Sequence, residues 1–176
     1  MRTTSQDPDL DLLLIRFHVE SGARREGALN LRMRDLDQRR STVWLREKFG
    51  TEREQPVSPS LLRVLEAHAS IRGAAAADES VLRSRSGRPI TRRRYNTVFD
   101  RARPCLPWAE RTAVSAHILR HTAITAVERH AGFAVAQAFA GHSASSVTGT
   151  YTRARLGEVA AAVAALSGEA RPLAER

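Results

Sequence analysis

The chain predicts a mostly α fold with a small antiparallel β hairpin (α+β), and three observations carry that prediction. Apolar residues recur at helical spacing along most of its length, beginning with the stripe Leu10, Leu13, Leu14 and Phe17. The one stretch that reads as paired strands surrounds a glycine turn, Phe49-Gly50-Thr51. After Ser115 the pattern is almost entirely helical. With 176 residues and 42% hydrophobic content, one domain with a real core is expected.

The elements follow in order. Asp7-Pro8 reads as an N-cap followed by proline at the first helical position, and the helix stops at Ser21-Gly22. A second, short helix fits residues 24–33. Residues 42–48 and 54–57 read as two strands, with Lys48 where the first enters the turn. Pro59 opens a helix carrying Leu61, Leu62, Val64 and Leu65, and residues 73–78 form a small-residue loop. Ser86-Gly87-Arg88-Pro89 is a turn, Thr91 caps a helix running to about Arg103, and Pro104 and Pro107 break the chain. Helices then fit residues 117–130, 133–140, a piece near 145–151, and 158–166. Residues 167–176 read as a frayed tail.

Composition narrows the function classes. The single cysteine, Cys105, excludes an intramolecular disulfide and a multi-cysteine metal site, and it reads as structural. The longest apolar runs, residues 12–15 and 159–166, are far short of a membrane span, and residues 1–10 have no signal-peptide core. The formal charge of +9 points to a polyanion partner. Of 28 basic residues, 27 are Arg and one, Lys48, is lysine. Lysine is a compact ammonium with a tunable pKa that can donate a proton, whereas arginine stays charged throughout.

The densest chemical signal is Ala116-His117-Ile118-Leu119-Arg120-His121-Thr122. On a helix, His117 and Arg120 share a face at i, i+3, so both can address one small anion. Gly141-His142 follows after a short helix, and Tyr151 lies nine residues further on. Upstream, Ser21-Gly22-Ala23-Arg24 sets an arginine at a helix start just after a glycine. Two Arg, two His, one Lys and one Tyr make a kit for attacking a phosphodiester without metal. The arginine run Arg83, Arg85, Arg88, Arg92, Arg93 and Arg94 contains no acid; it reads either as a solvated loop or as DNA-backbone contacts at a helix start.

The ordered set His117-x-x-Arg120, Gly141-His142 and Tyr151 resembles the signature of the tyrosine recombinase (phage integrase) family, Ser21-Gly22-Ala23-Arg24 resembles its first-arginine box, and Lys48 falls where that family keeps its lysine. The resemblance runs over about residues 10–165 and implies the catalytic-domain fold of that family at residues 11–166, after a short extension at 1–10. The implied catalytic set is Arg24, Lys48, His117, Arg120, His142 and Tyr151. Tyr151 would attack phosphorus and leave a 3′-phosphotyrosine, with His117 as base. Arg24 and Arg120 would hydrogen-bond the non-bridging oxygens, Lys48 would protonate the departing 5′ oxygen, and His142 would bond the phosphate. The implied function is site-specific DNA recombination or integration on double-stranded DNA, with no metal or other cofactor, in a cytoplasmic, nucleoid-associated protein.

Three departures stand beside the resemblance. The family usually follows its first arginine with x-x-Glu; here Glu26 comes at i+2 and points away from Arg24 on a helix, while Gly27 occupies i+3. Ile118 replaces an often acidic residue. The family's N-terminal clamp domain is expected to be absent, which motivates the alternative of a non-recombining DNA-binding remnant or regulator. A type IB topoisomerase-like activity ranks lower. His117 and His121 are i, i+4 without the Glu of a zinc-protease motif, so His121 reads as a packing or hydrogen-bonding residue. Asp35 and Asp37 read as turn and capping residues, and Tyr95 as core. The apolar segment 159–166 can cap its own core or dock on a neighbouring protomer as a homo-oligomer contact.

Overall fold

Asp7 accepts a hydrogen bond from the Leu10 amide and Pro8 takes the first helical position, so α1 (Pro8–Ser21) starts where the sequence predicts. The computed structural model describes residues 5–47, 50–141 and 154–170. Leu10 is fully buried, so the folded unit already includes residues assigned above to a 1–10 extension. Gly22 ends α1 in the left-handed region at φ 55°.

The predicted second helix is shorter than expected. α2 (Arg25–Leu29) stops because Leu31 is drawn into the core, where its carbonyl accepts from the Val81 amide at 3.0 Å. A 3₁₀ turn, Met33–Asp35, then leads into a strand the sequence did not signal, β1 (Leu36–Asp37). With β2 (Thr42–Arg46) and β3 (Glu52–Pro56) it forms an antiparallel sheet in the order β1-β2-β3. Arg46 locks the added strand by donating to both carboxylate oxygens of buried Asp35, at 2.7 and 2.8 Å. The register pairs Val43 with Gln55 and Leu45 with Arg53. The period of two therefore turns Val43, Leu45 and Glu47 inward beside Arg53, Gln55 and Val57.

Ser58, Thr91 and Ser115 each accept from an amide three residues on, starting α3 (Pro59–Ile71), α4 (Arg92–Cys105) and α6 (Ala116–Ala131). Pro104 lies inside the last turn of α4, and the chain breaks only at Leu106 before α5 (Pro107–Arg111). Asp11, buried on α1, accepts from Arg94 and Arg101 at 2.6 Å each and fastens α4 across it. α7 (Phe133–Ala140) and α8 (Leu156–Ser167) complete the described helices.

Val159, Ala160, Ala162 and Val163 on α8 are buried within its own chain, and Val159, Ala162 and Val163 cluster with Val127 and Phe139. Within the segment expected to fray, Glu169 is held: it accepts from the Ser60 amide at 3.0 Å and from the Ser60 hydroxyl. Residues 171–176 lie outside the described residues. Tyr95 is fully buried, as expected. Among the described residues no helix is long and apolar enough to cross a membrane.

His18 sits on the buried side of α1, with Nδ1 donating to the Ala23 carbonyl at 2.9 Å and its ring edge-on to Tyr95. Burial pushes its pKa from 6.5 down to about 4, against the opposing pull of the Ala23 carbonyl. The unfolded chain therefore binds the His18 proton first as pH falls. Stability from this residue is intact above pH 6.5 and is lost toward pH 4, by up to about 1.4 kcal/mol per pH unit. Urea titrations between pH 6.5 and 4.5 should show this slope, and His18→Gln should flatten it; equal slopes in both proteins would remove His18 as the cause.

Candidate active site

Four segments converge where the C-terminal ends of α1 and α7 meet. Gly22 can take its left-handed turn without strain, and it must also lack a side chain: a Cβ there would lie 2.5 Å from the Phe139 ring. Past Gly22, Ala23 is held by the Ser21 hydroxyl at its amide and by His18 at its carbonyl. That fixes Arg24 at the N-cap of α2, with its side chain one-third exposed.

Glu47 receives Arg24 from below. Its carboxylate is fully buried at the end of the inward face of β2 and accepts from the Arg24 amide at 2.6 Å and from Arg24 Nη1. Arg53 Nε lies 3.6 Å away on the other side. Burial alone would raise the Glu47 carboxyl; Arg53, the Arg24 amide, the Arg24 guanidinium and Arg120 outweigh it and hold the group below the usual carboxylate range.

Arg53 and Arg120 are both buried, and both donate to helix-terminal carbonyls. Arg53 donates to Phe139 O at 2.6 Å and reaches the Ser21 and Gly22 carbonyls at 3.4 Å. Arg120 donates to Gly22 O and, at 2.7 Å, to Ala140 O. Burial draws Arg53 down to about 10, with Glu47 opposing, so the group keeps its charge at neutral pH. Burial likewise lowers Arg120, and neighbouring Arg24 adds to the effect. Gly141 follows at φ 65°, and a Cβ there would run into the Arg53 side chain.

Above this charged floor opens a cleft of about 660 Å³ between α2, α4 and α6. Arg24, His117 and Arg120 all line it, so three of the six predicted site residues are brought together. Lys48, His142 and Tyr151 lie outside the described residues, as does the predicted piece at 145–151. Arg25, Arg103 and His121 also line the cleft, and sequence reasoning gave none of them a place there. His121 Nε2 meets His117 Nε2 at 2.8 Å, so one ring donates and the other accepts. Among the described residues no three His, Cys, Asp or Glu side chains converge as a metal site would require.

The arginine run divides by partner. Arg83 pairs with Glu79 at 2.9 Å and donates to Gly87 O, while Arg94 is held by Asp11. Arg92 pairs with Glu26 at 2.7 Å, and Arg85 is 3.8 Å from Asp7. Arg88 and Arg93 are exposed, and no acidic partner for either is found among the described residues.

Residues 1–157 match the sequence model of the phage integrase family. The chain belongs to that family. No curated protein matches it. Its fold is similar to the crystal structure of XerA recombinase (TM-score 0.55, 18% identity, 88% of this chain and 60% of that one). It is also similar to the Tn1549 transposon integrase in complex with a circular intermediate DNA (TM-score 0.61, 18% identity, 87% and 57%). A third similar structure is that integrase with transposon right end DNA (TM-score 0.54, 20% identity, 89% and 58%). The phage integrase chain described here thus spans less than two thirds of the length of these solved structures.

Within this phage integrase fold Glu26 is turned to Arg92, as its i+2 spacing implied, and Glu47 is the acid at Arg24. The sequence signal for Glu47 was present: a carboxylate in phase with Val43 and Leu45 on an inward strand face. Gly22→Ala should test the seam. The left-handed residue costs about 1–3 kcal/mol, and displacing the Phe139 ring adds a similar amount. Urea unfolding should report that loss as a lower midpoint; a change under about 0.5 kcal/mol would remove the close packing from the account.

Proposed function

We propose that this chain is the catalytic unit of a site-specific DNA recombinase, cutting and rejoining strands through a 3′-phosphotyrosine. The observation that carries it is the meeting of Arg24, His117 and Arg120 in one cleft, from segments far apart in the chain. Arg24 and Arg120 bind the non-bridging oxygens of the scissile phosphate, where charge builds in the transition state. His117 takes the proton of the Tyr151 hydroxyl as Tyr151 attacks phosphorus, and His121 steers the His117 ring from the cleft wall. Lys48 protonates the departing 5′ oxygen, and His142 bonds the phosphate. The covalent link conserves the bond energy of the phosphodiester, so the proposed cycle uses no nucleotide and no metal.

The catalytic unit extends from α1 through α8, and double-stranded DNA is its substrate. The net charge of +9 supports that partner and a cytoplasmic, nucleoid-associated location when DNA is bound. Arg88 and Arg93, exposed beside the start of α4, supply backbone contacts. Replacing either by Ala should lower the slope of log affinity against log salt by about one. Arg83→Ala should leave that slope unchanged, because Arg83 is occupied by Glu79 and Gly87. Equal slopes for all three variants and the parent would reject this division.

The central test is a pool of nicked suicide duplexes with randomised sequence around the nick, screened for protein–DNA adduct that survives denaturation. Adduct is expected from the parent chain and lost in Tyr151→Phe. Arg24→Ala should slow its formation by about 10²- to 10³-fold. Adduct persisting in Tyr151→Phe would overturn the nucleophile, and binding with no adduct from any duplex would favour a non-recombining DNA-binding protein.

A further inference from the structure

The space beside Arg24 has a specific shape. Gly27 lies one turn beyond Arg24 on α2, outside the positive-φ glycines, so its backbone would accept any side chain. What crowds one is Glu47. A Cβ at residue 27 would meet Glu47 Cγ at 3.1 Å and Oε1 at 3.2 Å, and the three nearest atoms all belong to that glutamate. The carboxylate that reaches Arg24 from β2 therefore fills the volume that a side chain at residue 27 would occupy, on the same face as Arg24. We propose that Glu47 is the positioning residue for Arg24, and that Gly27 and Glu47 form an exchangeable pair: one carboxylate, deliverable either from the strand or from residue 27 of the helix.

The electrostatics agree with the geometry. Glu47 is the acid contacting both Arg24 and buried Arg53, and Arg53 is 3.6 Å from the same oxygen that receives Arg24. A carboxylate here fixes the plane of the Arg24 guanidinium before any phosphate arrives and leaves its outer edge toward the cleft. Glu26 cannot do this, because it is turned to Arg92. The role in catalysis rests on the proposed recombinase reading; the exchange itself rests on the contacts of Gly27, Glu47 and Arg24 alone.

The experiment compares the full chain with Glu47→Gln, Glu47→Gly and the double variant Gly27→Glu/Glu47→Gly. The first readout is ¹⁵N NMR of the arginine side chains without DNA, with the Arg24 signal assigned by its disappearance in Arg24→Lys. The parent should show a restrained Arg24 guanidinium with slow hydrogen exchange; both single variants should lose that restraint and the double variant regain it. The second readout is adduct formation on a duplex recovered from the randomised pool. Glu47→Gln should slow it about 10²-fold while duplex affinity stays within about twofold, and the double variant should recover at least tenfold over Glu47→Gly.

An Arg24 signal unchanged in Glu47→Gln, or unrestored in the double variant, would overturn the proposal. If removing the buried charge prevents folding of the single variants, the double variant decides alone: a folded protein with restrained Arg24 supports the exchange, and an unfolded one rejects it. Normal adduct formation by Arg24→Ala would instead reject the recombinase reading of the cleft, leaving the NMR result to judge the exchange.

Discussion

Two buried guanidinium groups hold this molecule together at its functional end. Arg53 and Arg120 come from a strand and a helix, and between them they occupy the terminal carbonyls of α1 and α7. A helix leaves its last carbonyls without internal partners, and its C-terminal end carries partial negative charge. Two such ends brought together in a dry seam would be unfavourable without cations. The arginines answer both needs, since each supplies several fixed donors and a charge that survives burial. The place of α7 against α1 follows from that plug.

The arrangement carries an electrostatic conflict that Glu47 resolves. Burial lowers Arg53 and Arg120, and neighbouring arginines add to it: Arg120 and Arg24 at Arg53, and Arg24 at Arg120. One buried carboxylate offsets part of that repulsion, and the helix-end carbonyls offset more. Breaking a buried pair of this kind typically costs about 3–5 kcal/mol, because the partner is left charged and dry. The surplus of positive charge at the cleft is therefore built into the fold.

Much of this was legible in the sequence, for reasons that differ by element. The starts of α1, α4 and α6 depend on Asp7, Thr91 and Ser115, caps that act within three residues and so appear in local sequence. β1 did not appear because two residues carry no period, and its pairing is settled by Arg46 reaching Asp35. At the site, Arg24, His117 and Arg120 were found through fixed spacings. Glu47 belongs to no motif, because its importance lies in what β2 places beside residues 24, 27 and 53. Arg120 carried a second surprise: read as a group for the substrate, it is equally a clamp on its own backbone.

That clamp spans 98 positions between Arg120 and Gly22, and the Arg53 bond to Phe139 spans 86. Closing loops of that length comes late, after the local helices and the hairpin have formed. Until α7 has docked, Arg53 and Arg120 lack the Phe139 and Ala140 carbonyls and hold only those at the end of α1. A partly folded chain therefore lacks one side of the arginine seam beneath the cleft. Docking of α7 and closure of that seam are a single event.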